Sequence, residues 1–222
     1  MSDIFKIILK KIRLIAIGNQ REKALADYFC KIILNNHLSK KIKIIDYGSG
    51  YEPKVSFFLL EKLENYGKLA EIDCYDFYRK KELAILNSNK KNINFLNLKN
   101  LKQNKKKYDF SIISDVLHHI GVDKEKLIVN ILKRLKSKSK FILIKDHFET
   151  GFFSRTILRF MDFIGNYHNN VNIPKKYFCK KKFLDLINST KLKIKSKSHR
   201  LHIYNKIYFF SYPELHFIYL LK

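Results

Sequence analysis

Apolar positions change their spacing several times along the chain, and each change marks an element. Ile4 to Ile17 is apolar but is broken by Lys6, Lys10, Lys11 and Arg13, which predicts an amphipathic helix rather than a signal or membrane-spanning segment. Gln20 to Leu34 predicts a second amphipathic helix, with Ala24, Leu25, Tyr28, Phe29, Ile32 and Ile33 recurring at helical spacing. Lys43 to Tyr47 is a short β-branched run closed by Gly48-Ser49-Gly50, and Pro53 follows where a helix can begin without its N–H. That helix runs through Val55, Phe58, Leu59 and Leu63 and stops near Gly67. Strands are predicted at Leu69 to Tyr75, Ile93 to Leu96, Tyr108 to Ser114 and Phe141 to Lys145. Helices are predicted between them at Lys80 to Leu86 and through Leu127, Ile128, Ile131, Leu132 and Leu135.

Five β units separated by helices imply an α/β fold with a mainly parallel sheet and right-handed crossovers. Ligands of such sheets bind outside the carboxyl ends of the strands, where the strand order reverses. Phe148 to Pro174 interrupts the rhythm with many aromatics and reads as a cover over that edge. A helix from Tyr177 to Ile187 follows, and then two strands, within Leu192 to Tyr204 and within Leu215 to Leu221. Tyr212-Pro213 makes a turn between them that suits an antiparallel pair. The expected organisation is one domain over 1–222: N-terminal helices at 1–40, a ligand-binding core at 41–147, a cover at 148–176, and a helix and strand pair at 177–222.

Composition changes this picture little. The chain is 46% hydrophobic and 14% aromatic, enough for a buried sheet. Its net charge of +25 would normally point to nucleic acid, yet only seven of the 45 basic residues are arginines, and the lysines are spread over every segment. A solvated basic surface explains this better than a nucleic-acid footprint. Cys30, Cys74 and Cys179 are far apart with no metal-binding spacing, which fits a reduced, cytoplasmic setting and no metal. The first helix can cover the sheet or lie on a membrane surface, and its pattern leaves both open.

Glycines after the first strand let a ligand approach the backbone, and N–H groups at the following helix start bind its anionic part. A nicotinamide dinucleotide is disfavoured, because Pro53 stands where that fingerprint needs a third glycine. Asp46, Gly48 and Gly50 instead resemble the first motif of class I S-adenosylmethionine-dependent methyltransferases, although Glu52 departs from it where the family often has another glycine. The resemblance implies a Rossmann-like methyltransferase fold: a mainly parallel seven-stranded sheet, an antiparallel last strand and helices on both faces. S-adenosylmethionine is the implied cofactor. Asp76, rather than Asp73, would hydrogen-bond both ribose hydroxyls, with Phe77 on the adenine face and Asn97 and Leu98 at the adenine edge. Tyr51 would add cation–π attraction to the sulfonium.

Ser114-Asp115-Val116-Leu117-His118-His119-Ile120 is similar to the same stretch in ubiquinone and menaquinone biosynthesis methyltransferases, which places Ser114 and Asp115 at the methionine end. Adjacent helical residues point about 100° apart, so at most one of the two histidines is expected in the cleft, and His119 is preferred. Asp146 and His147 close the fifth strand beside the expected methyl and are candidate proton acceptors. Phe152, Phe153, Phe160, Phe163 and Tyr167 suggest an apolar pocket or a packed lid. The implied function is methyl transfer to a small-molecule acceptor, apolar or membrane-associated. Two rivals stand beside it: an RNA or DNA methyltransferase, against which the absence of Asn/Asp-Pro-Pro-Tyr argues, and a non-catalytic binding module on a degenerate fold.

Overall fold

The computed structural model describes residues 20–50, 52–76, 92–96, 101, 103–166, 173–204 and 212–222. The N-terminal run, the Lys80 to Leu86 helix, Tyr51, Phe77, Asn97, Leu98 and Tyr167 lie outside the described residues.

The strands are β1 (Lys41–Tyr47), β2 (Leu69–Tyr75), β3 (Ile93–Leu96), β4 (Tyr108–Ser114), β5 (Ser139–His147), β6 (Ile194–His199) and β7 (His216–Leu221). The described helices are α1 (Gln20–Asn36), α2 (Lys54–Asn65), α3 (Leu117–Ile120), α4 (Glu125–Lys138), α5 (Phe152–Asn166) and α6 (Lys180–Ser189). All seven strands form one sheet in the order β3-β2-β1-β4-β5-β7-β6. The first five run parallel, and β7 is antiparallel to both of its neighbours, as expected for a reversed last strand. From β1 the chain steps outward to β2 and β3, then crosses back to β4. The order therefore reverses between β1 and β4, and their carboxyl ends frame the crevice where a ligand is expected.

Both faces of the sheet are buried. Ile45, Ile113, Ile142, Ile144 and Tyr219 meet Ile128 and Leu132 of α4 and Phe183 and Ile187 of α6. On the other face Ile44, Ile72, Phe110 and Leu143 meet Leu25, Phe29 and Ile33 of α1 and Leu59 and Leu63 of α2. The effect is plainest in β5, where Phe141 to Ile144 is a continuous apolar run, whereas β1 and β4 mix polar residues with buried apolar ones. The edge strand β6 is exposed along nearly its whole length and carries Lys195 and Lys197, which discourage pairing with another sheet.

Phe148 continues from β5 into this core, stacking on Phe217 with centroids 3.9 Å apart. Beyond it, α5 is anchored by Ser154 and Leu158, while Phe152 and Phe153 are 82% and 72% exposed. The expectation that these two phenylalanines line an apolar pocket is thus corrected. α5 is strongly amphipathic, yet Phe152, Phe153 and Phe160 on its apolar side are exposed, so its pattern alone does not predict which face the protein covers. No helix among the described residues is long and apolar enough to cross a membrane.

Candidate functional site at the carboxyl edge of the sheet

The glycine loop after β1 is bound to the end of β2. Gly48 and Ser49 donate their N–H groups to the Tyr75 carbonyl at 2.7 and 3.0 Å, and Gly50 donates to Asp76 Oδ2 at 2.9 Å. Gly48 and Gly50 have φ of +85° and +76°. A Cβ on Gly48 would stand 2.3 Å from Val116 Cγ2, so only glycine lets the β1 loop approach the β4 loop this closely. At Gly50 a Cβ would meet open space, leaving that stretch of loop backbone approachable from outside. Asp46 is buried beneath the loop and accepts a hydrogen bond from Ser56 Oγ of α2 at 2.5 Å, tying strand, loop and helix together.

The two acidic candidates of β2 separate clearly. Asp73 accepts from Tyr108, Lys106 and Asn94 at 2.7 to 2.9 Å and is committed to holding β2, β3 and β4 together. Asp76 lies beside the glycine loop instead. Glu52 turns to Lys54, 3.3 Å away, and is more than half exposed, so its carboxylate is directed to solvent.

At the ends of β4 and β5 lies a buried polar cluster. Asp115 adopts a left-handed backbone with φ of 56°, an uncommon conformation that Asp tolerates better than most residues. Its carboxylate meets Arg21 of α1, Lys145 Nζ at 2.5 Å and His147 Nε2 at 3.0 Å. Burial opposes its ionisation, but Lys145 and Arg21 hold its pKa well below the usual carboxylate range. The same burial pushes the Lys145 ammonium down. Ser114 Oγ stands 3.5 Å from Asp115 Oδ2.

Asp146 bonds His118 Nδ1 at 2.5 Å and accepts the His147 N–H at 2.8 Å. His118 is fully buried. Although burial disfavours its charged form, Asp146 and then Asp162 raise its pKa to about 10. Its other nitrogen, Nε2, lies 3.4 Å from Asp162 Oδ2 but has no hydrogen-bond partner. The distance alone reads as an ion pair, whereas the orientation does not make a hydrogen bond, and the orientation decides. Tyr177 donates its hydroxyl to Asp162 Oδ2 at 2.5 Å. His147 is pushed the other way: burial and Lys145 depress its pKa. Its Nδ1 lies 2.9 Å from His216 Nδ1, and burial depresses His216 further still.

The structure therefore brings together Asp46, Gly48, Gly50 and Asp76 at one end of the crevice, and Ser114, Asp115, His119, Asp146 and His147 at the other. The histidine expectation changes. The His118 and His119 rings lie 4.1 Å apart, and both have a nitrogen within 4.8 Å of the Asp162 carboxylate. His118 is fully buried and His119 half-buried, so the two differ in exposure, yet their rings pack together and both approach the same acid. Sequence reasoning gave no role to Arg21, Asp162, Tyr177 or His216. Asp162, the only acid in α5, and His216, which opens an otherwise apolar strand, were visible irregularities. Two surface depressions, beside Asp27 and Tyr66 and beside Glu125 and Asp185, lie on outer helical faces away from this edge.

No known family profile matches the sequence, and no curated protein matches it. Solved structures do. The mitomycin 7-O-methyltransferase MmcR superposes with a TM-score of 0.59 at 13% identity over 92% of this chain, which spans about half (54%) of that protein. Magnesium protoporphyrin IX methyltransferase from Synechocystis PCC 6803, with bound SAM, gives 0.55 at 14% identity, covering 90% of this chain and 79% of that one. An S-adenosylmethionine-dependent methyltransferase from Clostridium acetobutylicum ATCC 824 gives 0.59 at 13% identity, covering 100% and 99%. With its reversed β7 inside a seven-stranded sheet, the chain has the Rossmann-like fold of the class I S-adenosylmethionine-dependent methyltransferases.

Proposed function

We propose that this chain is an enzyme that uses S-adenosylmethionine to methylate a small-molecule acceptor. The observation that carries the reading is the join between Gly50 N–H and Asp76 at the point where strand order reverses. Asp76 Oδ2 fixes the loop, and a carboxylate at the end of β2 is the kind of group that accepts from a pair of ribose hydroxyls. The outward turn of Glu52 toward Lys54 removes the main sequence objection to a bound methionine carboxylate. Structural neighbours acting on mitomycin, magnesium protoporphyrin IX and 1,6-didemethyltoxoflavin support a small-molecule acceptor. The exposed Phe152 and Phe153 on α5 would suit contact with a membrane face, where a membrane-associated acceptor would be met.

When bound, S-adenosylmethionine supplies a methyl group already activated on sulfur, so positioning and exclusion of water do most of the work. As the acceptor atom bonds to the methyl carbon, it sheds a proton. His147, at the carboxyl end of β5, is the candidate to receive it; burial and Lys145 keep the ring neutral and make it a weak base, which would release the proton again rather than keep it. Asp146 is committed to His118 and orients it, while His119, half-buried, lines the same edge.

Calorimetry with S-adenosylhomocysteine tests the proposal. Binding is expected, and Asp76→Ala should weaken it about 5- to 150-fold, since two lost hydrogen bonds are worth ~1–3 kcal/mol. Folded protein that takes up no S-adenosylhomocysteine would overturn the reading.

A further inference from the structure

We propose that His118, His119 and Asp162 form a binding site for a zinc-class divalent cation, with one position open toward the acceptor. The ligand atoms of these three residues lie within 4.8 Å of one another. His118 Nε2 is fully buried beside the group and has no hydrogen-bond partner, so a cation bound there would take the place of the ring proton that Asp146 and Asp162 favour in its absence. Its separation from Asp162 Oδ2 is 3.4 Å. Two ligands ~2.05 Å from a tetrahedral ion stand about 3.3 Å apart, so this pair needs almost no movement.

The surroundings fit the same reading. Metal-binding histidines usually give their second ring N–H to a carboxylate, which fixes the tautomer and strengthens the ligand. His118 Nδ1 meets Asp146 Oδ1 at 2.5 Å, which leaves Nε2 as the ligating nitrogen. Asp162 in turn is held by the Tyr177 hydroxyl at 2.5 Å. Lys145, the nearby buried ammonium, is paired with Asp115 and does not occupy the site. Two imidazoles and one carboxylate with a fourth position open match a zinc site of the catalytic type. The inference rests on the methyltransferase reading only for what fills that position, which would be an oxygen of a hydroxyl- or carboxylate-bearing acceptor.

The test is titration of the chelator-treated full chain with zinc, followed by calorimetry, and with cobalt(II), followed by its visible absorption. One equivalent should bind at micromolar concentration or tighter, and cobalt should give the absorption of a tetrahedral site. His118→Gln, His119→Gln and Asp162→Asn should each weaken binding more than tenfold, Asp146→Asn about 10- to 100-fold, and the exposed His202→Ala not at all. Because His118 is buried, circular dichroism of each variant accompanies the titration, and the half-buried His119→Gln carries the conclusion if His118→Gln unfolds. No stoichiometric binding by the wild type, or binding that survives His119→Gln and Asp162→Asn, would overturn the site. S-adenosylhomocysteine binding measured on the same samples separates the ideas: uptake without zinc binding sinks the metal site alone, and zinc binding without uptake sinks the methyltransferase reading alone.

Discussion

Gly48 shows how much one residue decides. Its φ of +85° and the 2.3 Å gap to Val116 both exclude a side chain. Gly48→Ala should cost roughly 2–4 kcal/mol, part backbone strain and part overpacking. Urea denaturation measures the loss. Gly48→Ala combined with Val116→Ala should recover the packing part and keep the strain, and an unchanged midpoint in the single variant would mean that the loop is not built this way. Residues like this were legible because glycine has few uses at the end of a strand. Asp76 could be preferred over Asp73 from its place at the strand end, but only the structure shows Asp73 bound by Tyr108, Lys106 and Asn94. The partners of Asp115 were not legible at all: Arg21 is 94 residues away in sequence, and no local pattern announces a long-range ion pair.

Among the elements, β2, β3 and β4 were readable to the residue because each groups β-favouring apolar residues between charged or turn-forming stretches, even though Glu71, Asp73, Asn94, Asp109 and Ser111 interrupt them. β5 runs longer than its apolar stretch, from Ser139 to His147. Lys145 ends the expected strand and Asp146 and His147 close it, and all three remain in β5 because their charges and ring nitrogens find partners inside the protein. α3 is too short to leave a periodic signal. The start of α5 depends on Ser154, whose Oγ accepts the Thr150 and Gly151 N–H groups at 2.8 and 3.0 Å. Glu149 strengthens the same corner by pairing with Arg155 and accepting the Tyr177 N–H. Ser154→Ala should loosen this corner by ~1–2 kcal/mol. Hydrogen exchange would then be about tenfold faster in α5 with little change in β4 or β5, and equal acceleration everywhere would show that α5 has no separate anchor.

At the level of the whole molecule, acid sensitivity follows from two histidines buried in neutral form. His147 and His216 both have pKa values depressed from 6.5, chiefly by burial. Below about 6.5 the unfolded chain takes up protons on these two residues that the folded one refuses, so their contribution is full above that pH and falls as pH drops toward the folded-state values, while His118, raised to about 10, acts in the opposite sense and loses its contribution as pH climbs from 6.5 toward 10. The slope should approach ~1.4 kcal/mol per pH unit for each histidine. Thermal melts between pH 8 and pH 5 would reveal it. His216→Gln should flatten the acid limb by removing one of the two groups, and an unchanged limb would contradict the buried neutral pair. The parallel sheet and its reversed strand were foreseeable from the order of elements, whereas the folding back of α5 to set Asp162 beside His118 was not, since it depends on tertiary packing.

The position of β7 has a further consequence. The strand made last in chain order is not at the rim: it is wedged between β5 and β6. Until those residues exist, β5 has an open hydrogen-bonding flank, β6 has nothing to pair with, and His147 lacks His216. Assembly of this side of the sheet must wait for β7, so a nascent chain lacking it would offer an unpaired parallel strand and an incomplete polar centre. Formation of the His147 and His216 contact is thereby coupled to synthesis of β7.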